Sequence, residues 1–218
     1  LEVSPCHLEA LKGRARTQQH MGNLAGTEAD LGTALRCRPG DPEATEMLSQ
    51  TLAGRGDWKG ARTVVRQAFS GAELERRLGD LYLSKDRYTS AAAHYRRALR
   101  AGLSDWPTHK GLGNAERMRG NSEGAVRAYR RAAKLHPDDN DSLYWIGMLS
   151  MRLGKPEDAR QAFDAILARN PGNAAALVGK ARLLRSEGHS VEALGLVDRL
   201  LSVDEMNGEA RVLRGSLL

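Results

Sequence analysis

Between Asn140 and Asn173 the chain reads NDSLYWIGMLSMRLGKPEDARQAFDAILARNPGN. Leu143, Ile146 and Ser150 recur at helical spacing around the small Gly147, and predict a first helix with one inward face. Gly154-Lys155-Pro156 breaks the pattern, and proline is tolerated in the first turn of a second helix. Ala159, Phe163, Ile166 and Leu167 give that helix its own apolar face, and Asn170-Pro171-Gly172 ends it. Two short helices of this kind form an antiparallel hairpin that buries its core only against neighbours.

The neighbours are in register. With Asn140 as slot 1 of a 34-residue period, slot 8 reads Gly79, Gly113, Gly147, Ala181 and Gly215. Slot 20 reads Ala91, Ala125, Ala159 and Ala193; slot 24 reads Tyr95, Tyr129, Phe163 and Val197. The turn slot, 15, reads Asp86, Gly120, Gly154 and Gly188. Small residues at slots 8 and 20 let two helices approach, and the bulky slot 24 fills the space behind them. This pattern resembles the tetratricopeptide repeat (TPR) family. The resemblance implies an all-α, right-handed superhelical solenoid of helix–turn–helix repeats.

On that register residues 8–41 form a degenerate first repeat with a polar first helix, KGRARTQQH. Residues 42–71 form a second that is four residues short, because Ser70-Gly71 leads straight into the next helix. Residues 72–105, 106–139, 140–173 and 174–207 are full units, and 208–218 read as a terminal first helix. The expectation is one continuous repeat body over residues 1–218, with more repeats following in the parent protein. An apolar end at Val212, Leu213, Leu217 and Leu218 is expected to be sticky, allowing end-to-end self-association.

Composition changes this picture little. The chain is 41% hydrophobic and 28% charged, ordinary for a folded protein, and no apolar run reaches the length of a membrane span. Only 5% of residues are aromatic, so the core is mostly Ala and Leu, which suits close-packed helices better than a deep enzyme pocket. Arginine far outnumbers lysine beside abundant Ala, Gly and Leu, which reads as a GC-rich bacterial source. Leu1–Cys6 (LEVSPC) is a weak match to a lipoprotein cleavage box, with Pro5 where a small residue belongs. Cys6 and Cys37 are the only cysteines. A hairpin brings the two ends that carry them together, but bonding needs Cα atoms within about 7 Å. Two free thiols are the expectation.

No catalytic constellation appears, and neither a metal nor a cofactor is expected. His7, His20, His94, His109, His136 and His189 lack partners at ligand spacing, and His109, His136 and His189 read as solvated surface residues. Gly111-Leu112-Gly113 lacks the third glycine and the preceding strand of a dinucleotide loop, and reads as helix packing.

Charge is uneven. Residues 72–139 carry 14 Lys/Arg against 9 Asp/Glu, while the rest of the chain is nearly balanced. Arg96, Arg97, Arg100, Arg130, Arg131 and Lys134 fall on the outer side of second helices. They read either as a strip for RNA or an anionic surface, or as a plain solvated face; stacking aromatics are missing beside them.

The inner surface carries more. In TPR proteins the groove is lined by first helices, chiefly slots 2, 5, 6, 9, 12 and 13. By slot, repeat three offers Glu73, Arg76, Arg77 and Asp80, and repeat four offers Lys110, Asn114, Arg117 and Met118. Repeat five offers Tyr144, Trp145, Met148, Met151 and Arg152, and repeat six Val178, Arg182 and Arg185. Tyr144, Met148 and Met151 form one stripe on a helix whose other face holds Leu143 and Ile146. Lys110 and Asn114 match the start of the family's clamp for chaperone carboxylate tails, but Trp145, Ala175 and Gly179 replace the rest, so a chaperone-tail receptor is not expected. The expected function is a non-catalytic scaffold that takes a peptide or partner helix in this groove. Lys110, Asn114, Arg117, Tyr144, Trp145, Met148, Met151, Arg182 and Arg185 form the site. Family analogy points to bacterial secretion, pilus or envelope assembly. The alternatives are an RNA- or anionic-surface-binding solenoid and an accessory region of a larger enzyme. The compartment, cytoplasmic or periplasmic, stays open.

Overall fold

The computed structural model describes residues 6–218. The chain divides after Ser104 into two compact units. The first holds three helical hairpins: α1 (Leu8–His20) with α2 (Leu24–Cys37), α3 (Pro42–Gly54) with α4 (Trp58–Ala68), and α5 (Gly71–Leu83) with α6 (Tyr88–Arg100). The second holds α7 (Trp106–Met118) with α8 (Ser122–Leu135), α9 (Asn140–Arg152) with α10 (Pro156–Arg169), and α11 (Ala174–Ser186) with α12 (Ser190–Val203), then α13 (Gly208–Gly215). Every element among the described residues is helical, so the fold is the expected all-α repeat stack. None of these helices is long and apolar enough to cross a membrane.

Local chemistry sets the boundaries. Asn23, Asp41, Asp57, Asp105, Asn121, Asn173 and Asn207 each cap a helix by accepting a backbone N–H three residues on. The turn inside each hairpin bends through a left-handed residue: Gly22, Gly56, Asp86, Gly120, Gly154 and Gly188 all have positive φ. These are the turn positions the period predicts. Asp86 alone takes this conformation with a side chain, and its carboxylate accepts a 2.6 Å bond from the Tyr88 hydroxyl.

The hairpins close by a glycine-to-ring fit. A Cβ built on Gly79 would lie 2.9 Å from the Tyr95 ring, one on Gly113 2.7 Å from Tyr129, and one on Gly147 2.6 Å from Phe163. All three rings are buried. Where slot 8 holds a larger residue, slot 24 shrinks: Ala15 goes with Leu31, Ser49 with Val65, and Ala181 with Val197. Phe163 is held by two hairpins, because a Cβ on Gly179 of the next hairpin would lie 2.5 Å from the same ring. The two tyrosines also place a hydroxyl at slot 9 of the partner helix. Tyr95 donates to Asp80 Oδ1 and Tyr129 to Asn114 Oδ1, each at 2.7 Å. Phe163, which has no hydroxyl, meets Met148 there in one apolar cluster.

Three expectations need correction. Cys6 and Cys37 are not free thiols; they form a disulfide with Cα atoms 5.5 Å apart. The antiparallel hairpin sets Cys6, two residues before α1, beside Cys37, the last residue of α2, inside bonding range. The apolar end is smaller than expected, because Leu213 is buried in the cluster of Val197 and Leu200 while Val212 and Leu218 stay exposed. His109 is half-buried rather than solvated; burial and then the nearby Arg131 charge hold its pKa below the usual histidine value. Residues 1–5 of the lipoprotein-like stretch lie outside the described residues.

Candidate functional site

The second unit holds every residue of the expected groove. They sit on α7, α9 and α11, the first helices of its three hairpins. Their slots recur every two helices, so one face is built from three parallel stripes.

The apolar centre is on α9. Tyr144, Met148 and Met151 are half-buried and pack on the cluster of Phe163, Ile166 and Leu183. Tyr144 meets Trp145 edge-on at 5.2 Å between centroids and leans on Phe163 at 6.4 Å. Burial raises the Tyr144 phenol, and the Glu209 carboxylate raises it further, so this ring lies within the field of α13. Trp145 packs on the neighbouring cluster around Tyr129 and Ile146.

The polar flank toward α7 is already wired. The Arg117 guanidinium lies 3.8 Å above the Trp145 ring, and its Nε donates to the Tyr129 hydroxyl at 3.3 Å. Arginine can only donate, so Tyr129 must pass its own proton to Asn114 Oδ1. That chain fixes which end of the Asn114 amide faces away. Burial pushes the Tyr129 phenol up to about 12, consistent with a hydroxyl that stays protonated. Lys110 bonds Asp139 at 2.8 Å and Asp141 at 3.1 Å. Burial alone would lower the lysine, but the two carboxylates outweigh it and its pKa is raised. Burial alone would raise Asp139, but Lys110 and the Ser142 hydroxyl hold it below the ordinary carboxylate value.

The other flank is paired as well. Arg182 meets Glu209 at 2.6 Å, and Arg185 donates to Ser216 Oγ at 2.5 Å. Beside them, Val212 and Leu213 help line a cleft of about 450 Å³. The structure therefore brings Tyr144, Trp145, Met148 and Arg117 into one contiguous patch. It commits Lys110, Arg182 and Arg185 to partners of their own. Asp141 and Glu209 are the residues the sequence reading missed. Both stand at slot 2, one of the lining slots, so the period itself pointed to them.

Arg130 pairs with Asp158 at 2.6 Å and Arg127 approaches Glu123 at 3.8 Å, so part of the basic character of α8 is neutralised.

These features define a helical-repeat protein with an aromatic and methionine-lined face. A family model for the tetratricopeptide repeat matches residues 65–105, 76–140, 110–174 and 146–208. The chain belongs to the tetratricopeptide repeat family, whose arrays are protein–protein interaction scaffolds. Superkiller protein 3 of Schizosaccharomyces pombe is 31% identical over 137 residues, 58% of this chain and 10% of that protein. Superkiller complex protein 3 of Homo sapiens is 28% identical over 77% of this chain and 10% of that protein. The chain thus spans about a tenth of the length of these curated relatives. Among solved structures, PilW, a widely conserved type IV pilus biogenesis factor, superposes with a TM-score of 0.69 at 16% identity, covering 94% of this chain and 97% of that one. YrrB, a TPR protein with an unusual peptide-binding site, gives 0.68 at 20% identity, covering 85% and 97%. At these identities the likeness is one of fold.

Proposed function

We propose that the face built on α7, α9 and α11 receives a peptide or partner helix, without catalysis. The observation that carries this reading is the half-buried stripe of Tyr144, Met148 and Met151 beside the Arg117–Trp145 stack. Met adapts to varied partners, and Tyr and Trp concentrate binding energy. The ligand is an extended or helical segment with an apolar anchor on that stripe and acidic flanks. Those flanks exchange with Asp139, Asp141 and Glu209 for Lys110 and Arg182, so they gain little net affinity and act mainly on the association rate. Asn114, its Oδ1 already taken, offers its NH₂ to a ligand carbonyl. The likeness to YrrB, a TPR protein with an unusual peptide-binding site, and to PilW, a type IV pilus biogenesis factor, supports a place in secretion, pilus or envelope assembly by analogy of fold.

The test uses a partner captured by the full chain from its native cell. Tyr144→Ala with Met148→Ala should weaken that partner by about 30-fold or more, the scale of losing buried anchors, with helicity kept. Arg96→Glu with Arg131→Glu, on outer faces, should leave affinity unchanged. The reverse outcome, with steep salt dependence, would replace the groove by the anionic-surface reading.

A further inference from the structure

The three first helices of the groove share a line of residues at slot 12: Arg117 on α7, Met151 on α9 and Arg185 on α11. Met151 belongs to the apolar centre and packs in the cluster of Phe163 and Leu183. One cation thus stands a helix before the anchor patch, and another a helix after it.

These two cations differ from their neighbours. Lys110 is taken up by Asp139 and Asp141, and Arg182 by Glu209. The partners of Arg117 and Arg185 among the described residues are neutral. Arg117 lies on the Trp145 ring and gives its Nε–H to the Tyr129 hydroxyl, so both Nη atoms remain for an outside acceptor. Arg185 holds Ser216 Oγ through Nη1 and keeps Nε and Nη2. Each fork is fixed by one part and matches a carboxylate with the rest. Arg152 also bonds a hydroxyl, but that of Ser122 at the start of α8, so it reaches back to the preceding hairpin.

Distance decides the shape of the ligand. Packed helices lie about 8–10 Å apart, so two steps separate Arg117 from Arg185 by about 16–20 Å. In a polyproline II chain, residues three apart return to the same face every ~9.3 Å. Positions i, i+3 and i+6 then meet Arg117, Met151 and Arg185 in turn. A β-strand turns i and i+3 to opposite faces. A helix needs about a dozen residues for the same span. Its internal hydrogen bonds also occupy the carbonyls that the Asn114 NH₂ would take, whereas a polyproline II backbone leaves them free.

We propose that the groove selects a polyproline II segment with a large apolar residue at its centre and an acidic residue three places before and three after it. The apolar side chain lies on Tyr144, Met148 and Met151. One carboxylate accepts from the two Nη atoms of Arg117, the other from Nε and Nη2 of Arg185. This rests on the groove reading and narrows it: the ligand is extended, and its acidic contacts move from Lys110 and Arg182 to Arg117 and Arg185.

The experiment is NMR on the full chain, reading the methionine methyls and the arginine Nε–H signals during titration with blocked heptapeptides. Glu-Ala-Pro-Leu-Ala-Pro-Glu has the proposed spacing, and its prolines favour the extended form. Ala-Pro-Glu-Leu-Glu-Ala-Pro has the same composition with both acids beside the leucine. Gln-Ala-Pro-Leu-Ala-Pro-Gln has no acid. The first should saturably shift the Met151 methyl together with the Arg117 and Arg185 signals. The other two should bind about ten-fold more weakly, the scale of two exposed ion pairs. Arg185→Gln should weaken the first peptide about three-fold and leave the glutamine peptide unchanged. Arg127→Gln, on the outer side of α8, should leave all three unchanged. Equal affinity for the two glutamate peptides, or no effect of Arg185→Gln, would overturn the proposal; a Met151 methyl that still moved would leave the groove reading standing. Methionine methyls unmoved by all three peptides would overturn the proposal and count against the groove as well.

Discussion

Gly147→Ala offers a sharp test of how the hairpins close. The added methyl would sit 2.6 Å from Phe163 Cε1 and Cζ, where carbon atoms need about 3.5–4.0 Å. In most cores a ring could yield by that ångström. This ring has little room to retreat, because it is also packed close against α11, where a Cβ built on Gly179 would lie 2.5 Å from the same ring. Overpacking costs about 1–3 kcal/mol, and a ring this tightly held belongs in the upper part of that range, at about 2–3 kcal/mol. Against it stands the gain of replacing a mid-helix glycine by alanine, about 0.8–1.0 kcal/mol. The expected net loss is about 1–2 kcal/mol, or roughly 2–8 °C in melting temperature for a chain of this size. Gly147→Leu should lose several times more. Gly195→Ala is the control: nothing lies within 4 Å of its built Cβ, so it should gain the propensity term alone. The decisive measurement is a double-mutant cycle by urea denaturation. Phe163→Val alone leaves a cavity; combined with Gly147→Ala it recreates the Ala181–Val197 pairing of the next hairpin. The pair should couple by about 1 kcal/mol or more. A Gly147→Ala protein as stable as the parent, or strictly additive energies, would refute the fit.

Other outcomes follow from single features. Reducing the Cys6–Cys37 bond, which closes a separation of 31 residues, should cost the first hairpin about 3–4 kcal/mol by loop entropy; alkylation should find two thiols only after reduction. Burial raises the Asp80 carboxyl despite Tyr95 and Arg76, so its folded form favours the proton. Its contribution is present below the unfolded pKa and lost as pH rises through the folded one. Asp80→Asn, which copies Asn114 under Tyr129, should therefore be more stable than the parent at pH 7, with the advantage shrinking on acidification in pH-dependent melts. Asp139 is shifted the other way, so its stabilisation holds above the unfolded pKa and falls away as pH drops through the folded one; Lys110→Met should flatten that part of the acid limb.

What the sequence could reveal tracks what a period can encode. Gly147, Ala159 and Phe163 recur at fixed slots because backbone approach leaves no alternative size there, and the turns at Gly22 through Gly188 follow for the same reason. Slot numbers also put Tyr144 and Met148 on one helix face. They did not reveal that Arg117 lies on Trp145 or that Tyr129 reaches Asn114, since long side chains choose partners by rotamer. The disulfide escaped because cysteine spacing carries no Cα distance, although the hairpin geometry brought both ends close.

The grip of Gly147 and Gly179 on Phe163 has a bearing on how such an array can grow by gene duplication. A crossover inside a hairpin would separate an aromatic residue from the glycine shaped for it and leave a clash or a hole. Copying a whole hairpin keeps that match, but the fifth unit also needs a glycine at slot 6 of whatever follows it. Inserting a copy of the fifth hairpin behind itself would set Trp145 where Gly179 belongs. The order of the units is thus constrained at that junction, and the smallest heritable piece there is two hairpins long.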